Sequence, residues 1–188
     1  MIEIVPYKNS WPVEFCEIAA ILRQGLGNLA LRIDHIGSTS VPGLAAKDII
    51  DIQITVADLS QEAYLRMVAL GYTREENILS DHRPPNARGA DMDWEKWYFR
   101  PPTHQRRTNT HMRVQGHLNQ RYPLLFRDYL RAHPATADAY AELKRRLAQN
   151  LVLPETYPDV KDPAVDLIYL AAEDWATAVR WEPGESDA

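Results

Sequence analysis

Two β-strands joined through a Gly-Ser-Thr-Ser turn set the architecture of this chain. Leu29, Leu31 and Ile33 alternate with Ala30, Arg32 and Asp34, the period-two pattern of a strand with one buried face. The strand runs into Gly37-Ser38-Thr39-Ser40. The glycine permits a tight backbone turn, and three hydroxyls follow where a helix can begin. Backbone N–H groups at such a junction form an anion site, because the unpaired donors and the helix dipole point the same way. Alternation then resumes, with Ile50, Ile52, Ile54 and Val56 on one face and Asp51, Gln53 and Thr55 on the other. Asp51 and Gln53 therefore project together, about 7 Å apart at two strand rises.

The remaining elements follow from periodicity and punctuation. Ser10 stands where it can cap a first helix whose apolar stripe is Trp11, Phe15, Ile18, Leu22 and Leu26. A second helix, over residues 60–70, carries Ala63, Leu65, Val68 and Leu70 and stops at Gly71. The polar stretch Asn77 to Asp91, broken by Pro84, Pro85 and Gly89, reads as a loop. Strands are expected over Trp94 to Phe99 and near Thr110 to Gln115. Beyond Gly116 the period becomes helical, with stripes through Leu125, Phe126, Tyr129 and Leu130, through Tyr140, Leu143, Leu147 and Leu151, and through Val165, Ile168, Ala172, Trp175 and Val179. Pro134 and the Pro154 to Pro163 stretch are expected to separate these helices. The reading is thus an α/β (α+β) domain over residues 1–182, a mixed sheet flanked by helices, with the helical C-terminal part on the same core. Residues 183–188 are expected to form a frayed tail.

Composition narrows the partners. A chain of 188 residues, 45% of them hydrophobic, can bury a full core as one domain. A net charge of −5 argues against bulk nucleic-acid binding and against anionic membranes. The lone Cys16 precludes an internal disulfide and any multi-cysteine zinc site, which fits a reducing cytoplasm. Flanked by Phe15 and Ile18, it reads as a small buried filler. No apolar run reaches about 18 residues, and the first residues lack the basic and apolar regions of a signal peptide, so the expected location is cytoplasmic.

Against this acidic background, the segment from His82 to Arg113 holds Arg83, Arg88, Lys96, Arg100, Arg106, Arg107 and Arg113 but only Asp91, Asp93 and Glu95 as acids. Forked guanidinium contacts from such a segment suit a phosphate-bearing ligand, while solvated loop arginines explain the same pattern. Strand alternation puts His111 and Arg113 on one face, and a sheet-facing arginine needs a carboxylate or phosphate; Asp51 is the candidate. His35 can orient the Gly-Ser turn or act as an acid. The spacing of His104, His111 and His117 matches no zinc site on one helix. Trp94, Trp97, Tyr98 and Phe99 can stack a base or pack a core.

The stretch Gly37-Ser38, twelve residues, then Asp51-Ile52-Gln53-Ile54 resembles the nucleotidyltransferase superfamily of the DNA polymerase beta type. Within it, His35 to Lys47 with Ile49 to Ile52, the run Leu124 to Pro134 and the helix Tyr140 to Ala148 are most similar to the GrpB family, also called UPF0157. The resemblance implies a nucleotidyltransferase-like mixed sheet and a nucleotide-binding groove. Active members of the superfamily hold two Mg²⁺ ions on a pair of strand carboxylates joined by a third. Here Gln53 replaces the second carboxylate, and the neighbouring strand offers His111, Arg113 and Gln115.

Two readings stand side by side. In the first, the protein is a metal-dependent nucleotidyl or phosphoryl transferase. Its catalytic residues are Ser38 and Asp51, with Asp51 binding Mg²⁺ or Mn²⁺. A nucleotide or other phosphate-bearing small molecule rests on Gly37, Ser38, Thr39, Lys47, Gln53, Arg100, His111 and Arg113. In the second, chemistry is lost, and the same groove binds a ligand or serves a protein partner. Family relatives fused to dephospho-CoA kinase imply a link to coenzyme A metabolism. A carboxylate converging on Asp51 from Asp48, Asp93 or Glu95 would favour the enzyme.

Overall fold

The computed structural model describes residues 2–188. Five strands, β1 (Arg32–Ile36), β2 (Ile50–Val56), β3 (Thr73–Arg74), β4 (Trp97–Arg100) and β5 (Thr108–Val114), form one mixed sheet in the order β1-β2-β5-β4-β3. β1 runs antiparallel to β2 with Ile36 opposite Asp51, so the Gly-Ser turn lies beside the start of β2. β2 and β5 are parallel, with Asp51 opposite Asn109, Gln53 opposite His111 and Thr55 opposite Arg113. These six side chains therefore share one face of the sheet.

The other face is apolar. Ile50, Ile52, Ile54 and Val56 pack with Ile33, Phe99 and Met112 against helix α1 (Trp11–Leu26) and helix α2 (Gln61–Ala69). The α1 stripe is buried as its period requires. Ser10 stands at its N-cap without a side-chain hydrogen bond to the helix. In α2 the buried residues are Ala63 and Met67, while Leu65 and Val68 are exposed, because this short helix lies on the sheet along one row of side chains.

Helices α3 (Leu118–Ala132), α4 (Pro134–Asn150) and α5 (Tyr157–Val179) make a second apolar cluster with Val41, Leu44 and Ala45, the residues that follow the Gly-Ser turn. α3 also meets the polar face of the sheet directly: Gln53 donates to the Gln120 carbonyl at 2.9 Å, and Arg127 donates to the His35 carbonyl at 3.1 Å. No helix among the described residues is long and apolar enough to cross a membrane.

Three expectations are corrected. The Pro154 to Pro163 stretch separates α4 from α5 only as far as Thr156, since α5 starts at Tyr157 and runs through both Pro158 and Pro163. Pro158 falls in the first turn, where the missing donor has little use; Pro163 lies inside the helix. Residues 183–188 are not frayed throughout. Ser186 accepts from the Ile33 N–H, Asp187 accepts from the His35 N–H and from Arg127, and the Ala188 N–H donates to the Ile33 carbonyl. The tail thereby satisfies the open backbone edge of β1, which would otherwise face solvent unpaired. Cys16 is exposed on α1, because the Trp11–Phe15–Leu22 stripe turns it outward.

Candidate functional site

A cavity of about 370 Å³ opens where the C-terminal end of β1, the start of β2 and β5 meet α3, α4, α5 and the loop before β4. Its walls include Gly37, Ser38, Thr39, Lys47, Asp51 and His111, all expected from the sequence. They also include Lys144 of α4, Lys161 of α5 and the aromatic rings of Tyr122, Phe126, Tyr140 and Tyr157.

The Gly-Ser turn is shaped by two facts of its backbone. Gly37 has φ 68° and ψ −171°, a conformation that L residues rarely adopt. A Cβ at this position would stand 2.3 Å from Asp51 Oδ2, so the turn lies directly against that carboxylate. Residues 38–40 follow as a single 3-10 turn closed by the Ser40 and Val41 N–H groups. The backbone N–H groups of Gly37, Ser38 and Thr39 have no backbone acceptor among the described residues. Thr39 turns its hydroxyl to His35 Nε2 at 3.0 Å, and His35 stacks on Phe15. Burial, reinforced by Arg131 and Arg127, lowers His35 to about 3, so this imidazole is neutral and structural.

Asp51 is engaged on both oxygens: Oδ2 lies against Gly37, and Oδ1 accepts the Asn109 amide at 2.7 Å, whose own oxygen accepts from Tyr98. Burial raises the carboxyl to about 6, against the opposing effects of Asn109, Lys161, Lys144 and Arg113. Lys144 is buried on α4, one turn from Tyr140; it donates to Ser38 Oγ at 2.8 Å and lies over the Tyr140 ring. Burial, then the nearby Lys161, lowers its ammonium to about 7, with Asp51 opposing. Lys47 sits over the Tyr157 ring at 3.9 Å and is lowered by burial and by Lys161. Lys161 is lowered by burial too; its carboxylate neighbour is Asp162, 3.7 Å away on the same helix. Three lysines from three separate segments thus share the cavity walls with the raised Asp51, with Asp162 and with Asp81.

Other expected site residues are held by protein partners, Arg113 among them although it and Asp81 line the cavity. Arg113 is buried, and its guanidinium donates to Asp81 from Nε at 2.8 Å and Nη2 at 2.9 Å, and to Gln53 Oε1 at 2.8 Å. Its partner is therefore Asp81 of the 77–91 loop rather than Asp51 or a ligand phosphate. Gln53 is fully buried between Arg113 and the Gln120 carbonyl, and it does not line the cavity. Arg100 ends β4 beside the edge strand β3, where its side chain pairs with Glu75 and does not reach the cavity. His111 lies in the wall, but burial and then Arg113 push it well below its ordinary value, so it brings no positive charge. Asp48 is held by Lys8, Trp11 and Arg106, away from Asp51.

The donor set does not fit a two-ion carboxylate centre. Gln53 is spent on Arg113, an amide donor stands opposite Asp51 on β5, and the described residues contain no group of three acidic, imidazole or thiol side chains able to share a cation. A carboxylate introduced by Gln53→Asp meets the Arg113 guanidinium, not a metal. We expect isothermal titration with Mg²⁺ or Mn²⁺ to show no tighter binding in Gln53→Asp than in the original protein.

A family model described as GrpB protein matches residues 1–170. A dephospho-CoA kinase of Mycobacterium tuberculosis (strain ATCC 25618 / H37Rv) is 37% identical over 198 residues, covering 96% of this chain and 48% of that protein. The UPF0157 protein YqkA of Bacillus subtilis (strain 168) is 33% identical over 195 residues, covering 100% of this chain and 50% of YqkA. The chain thus spans about half the length of these curated relatives. Among solved structures, the conserved protein GrpB from Enterococcus faecalis superposes with a TM-score of 0.71 at 30% identity, over 92% of this chain and 99% of that one. The Cid1 poly(U) polymerase superposes with a TM-score of 0.51 at 12% identity, over 76% of this chain and 42% of that one. The fold is nucleotidyltransferase-like.

Proposed function

The chain belongs to the GrpB family, and on that premise we propose that it binds a nucleotide or other phosphate-bearing small molecule in the cavity above the Gly-Ser turn. One observation carries the reading: Lys47, Lys144 and Lys161 converge from different segments on a cavity whose acids are a raised Asp51, Asp162 beside Lys161, and Asp81, which is held by Arg113 and Lys96. Burying ammonium groups without full carboxylate pairing costs several kcal/mol. An anionic ligand recovers that cost, and the free donors of the turn orient its phosphate.

A second reading adds chemistry. A carboxyl raised to about 6 beside the turn is a proton acceptor matched to an acceptor hydroxyl near neutral pH. In that reading Ser38 holds the phosphate, and Asp51 takes the proton during nucleotidyl or phosphoryl transfer. The relatives that carry a dephospho-CoA kinase name make coenzyme A and its precursors ligands to test beside nucleotides, and a kinase a protein partner to test.

Thermal-shift measurements decide the binding claim. A ligand at about 100 times its dissociation constant stabilises the native state by about 2.7 kcal/mol, which for a chain of this size raises the melting temperature by roughly 5–11 °C. We expect such a rise with a nucleotide or coenzyme A precursor, and none in Lys144→Met. Rises of equal size in both proteins would remove Lys144, and with it this cavity, from the ligand site. Intact-mass and product analysis after incubation with nucleotide and acceptor separates transfer from binding alone.

A further inference from the structure

Resting on the nucleotide reading, we propose that the cavity takes the polyphosphate tail of a nucleotide without a divalent cation, Lys47, Lys144 and Lys161 supplying the neutralising charge that Mg²⁺ supplies in two-ion transferases. A triphosphate entering a low-dielectric cavity must be met by opposite charge within a few ångströms. Mg²⁺ meets it when two or three carboxylates hold the ion, because the carboxylates keep the metal site itself from being too positive. In this cavity the second strand carboxylate is Gln53, bonded to Arg113 and to the Gln120 carbonyl. The residue opposite Asp51 on β5 is Asn109, which points an amide N–H at Asp51 Oδ1. A hydrogen-bond donor on that oxygen takes one of its lone pairs and, where a third carboxylate would stand, supplies no charge to hold a cation.

The lysines occupy the complementary role. Lys144 places its ammonium on Ser38 Oγ at 2.8 Å, at the turn whose backbone donors are open. Lys47 reaches the cavity from the segment between the turn and β2, and Lys161 from α5. The walls also carry Asp81, which is neutralised by Arg113 and Lys96, and Asp162, 3.7 Å from Lys161; with Asp51 raised, the lysines repel a divalent ion and attract a polyphosphate. Burial sets the charge of Lys144 first, and the charged groups around it are Lys161, Asp51 and Arg145. Its lowered value means that a bound polyanion pulls a proton onto it, so binding is coupled to proton uptake near neutral pH.

The experiment is isothermal titration of the purified protein with inorganic tripolyphosphate and with ATP, each in excess EDTA and in excess Mg²⁺. We expect both probes to bind in EDTA at least as tightly as in Mg²⁺, with about tenfold loss or more, at least about 1.4 kcal/mol, in Lys144→Met and in Lys161→Met. Affinity in EDTA should rise from about pH 8 to about pH 7 as Lys144 becomes charged. A metal-carried site shows the opposite slope, because Asp51 is protonated as pH falls. Lys144→Met should also melt at a higher temperature than the original protein in the absence of ligand, since it removes a buried charge, so lost binding cannot be ascribed to misfolding. Binding that appears only with Mg²⁺ overturns the proposal and leaves the nucleotide reading intact. ATP binding in EDTA without tripolyphosphate binding also overturns it, because the base would then be the part held. Absence of binding by every nucleotide and phosphate in both buffers removes the nucleotide reading itself.

Discussion

Replacing Gly37 by alanine is expected to destabilise the protein by about 2–6 kcal/mol and to abolish ligand binding. Two separate costs add. At φ 68° and ψ −171° the position lies in a region open essentially to glycine, and holding another residue there costs about 1–3 kcal/mol. The new Cβ would also sit 2.3 Å from Asp51 Oδ2, 2.8 Å from its Cγ and 2.9 Å from its Cβ. Asp51 is a short side chain, fixed by Asn109 on a central strand, and cannot swing away. Overpacking of this kind costs about 1–3 kcal/mol. Urea unfolding measures the sum, and a double-mutant cycle with Asp51→Ala separates the parts. The carboxylate contacts vanish in Gly37→Ala/Asp51→Ala while the backbone cost stays, so the two changes should couple favourably by about 1–2 kcal/mol. Additive costs within about 0.5 kcal/mol would show that the turn does not lie on Asp51 in solution.

The same pair of residues shows how far the sequence carries. The two-residue alternation of β1 and β2 placed Asp51 and Gln53 on the face opposite the isoleucines, and the structure keeps them there. The strand positions of His111 and Arg113 also followed from period alone. What period cannot tell is which polar side chain a buried polar side chain will choose. Arg113 has Asp81 as its carboxylate because the loop before β4 folds back over the sheet, and nothing local to Asn77–Asp91 distinguishes that loop from a solvated one. Gln53 then becomes the third partner of the same guanidinium rather than a substitute metal ligand.

The lysines were missed for two different reasons. Lys144 falls one turn after Tyr140, inside the stripe Tyr140–Leu143–Leu147, and a lysine interrupting an apolar stripe is a visible signal for a charge facing inward. Lys161 was hidden by its flanking Pro158 and Pro163, which read as a helix boundary although α5 passes through them. Both belong to helices more than a hundred residues after the turn they face, so the site as a whole is a product of tertiary packing. The Gly-Ser turn and Asp51 are legible because they are local; the charge that neutralises a ligand is not.

Asp81→Asn should be the other large loss, about 3–5 kcal/mol near neutral pH, because removing one partner from a buried ion pair leaves the other uncompensated. Asp81 accepts from Arg113 at 2.8 and 2.9 Å, from Lys96 at 2.5 Å and from Asn119 at 3.1 Å. Arg113 is 3% exposed and Lys96 8%, so water cannot replace the lost carboxylate. Burial alone would raise the Asp81 carboxyl, but Arg113, through its charge and hydrogen bonds, and then Lys96 outweigh burial and hold it well below the usual carboxylate range. The sign of the pH dependence follows. A depressed acid contributes stability that is complete above its unfolded value of about 3.9 and is lost as pH falls toward its folded value. The difference between the original protein and Asp81→Asn should therefore be constant from about pH 5 to about pH 8 and shrink below about pH 4. Adding Arg113→Met removes one of the stranded cations and should recover part of the loss, giving a coupling of about 1–3 kcal/mol. Loss of Asp81 also unhooks the loop that carries His82 against Asp166 of α5 at the edge of the cavity, so ligand affinity should fall together with stability. Denaturant unfolding of the two single variants and the double variant across this pH range tests the account. A loss below about 1 kcal/mol, or one that does not change with acid, would mean that Arg113 and Lys96 find another anion.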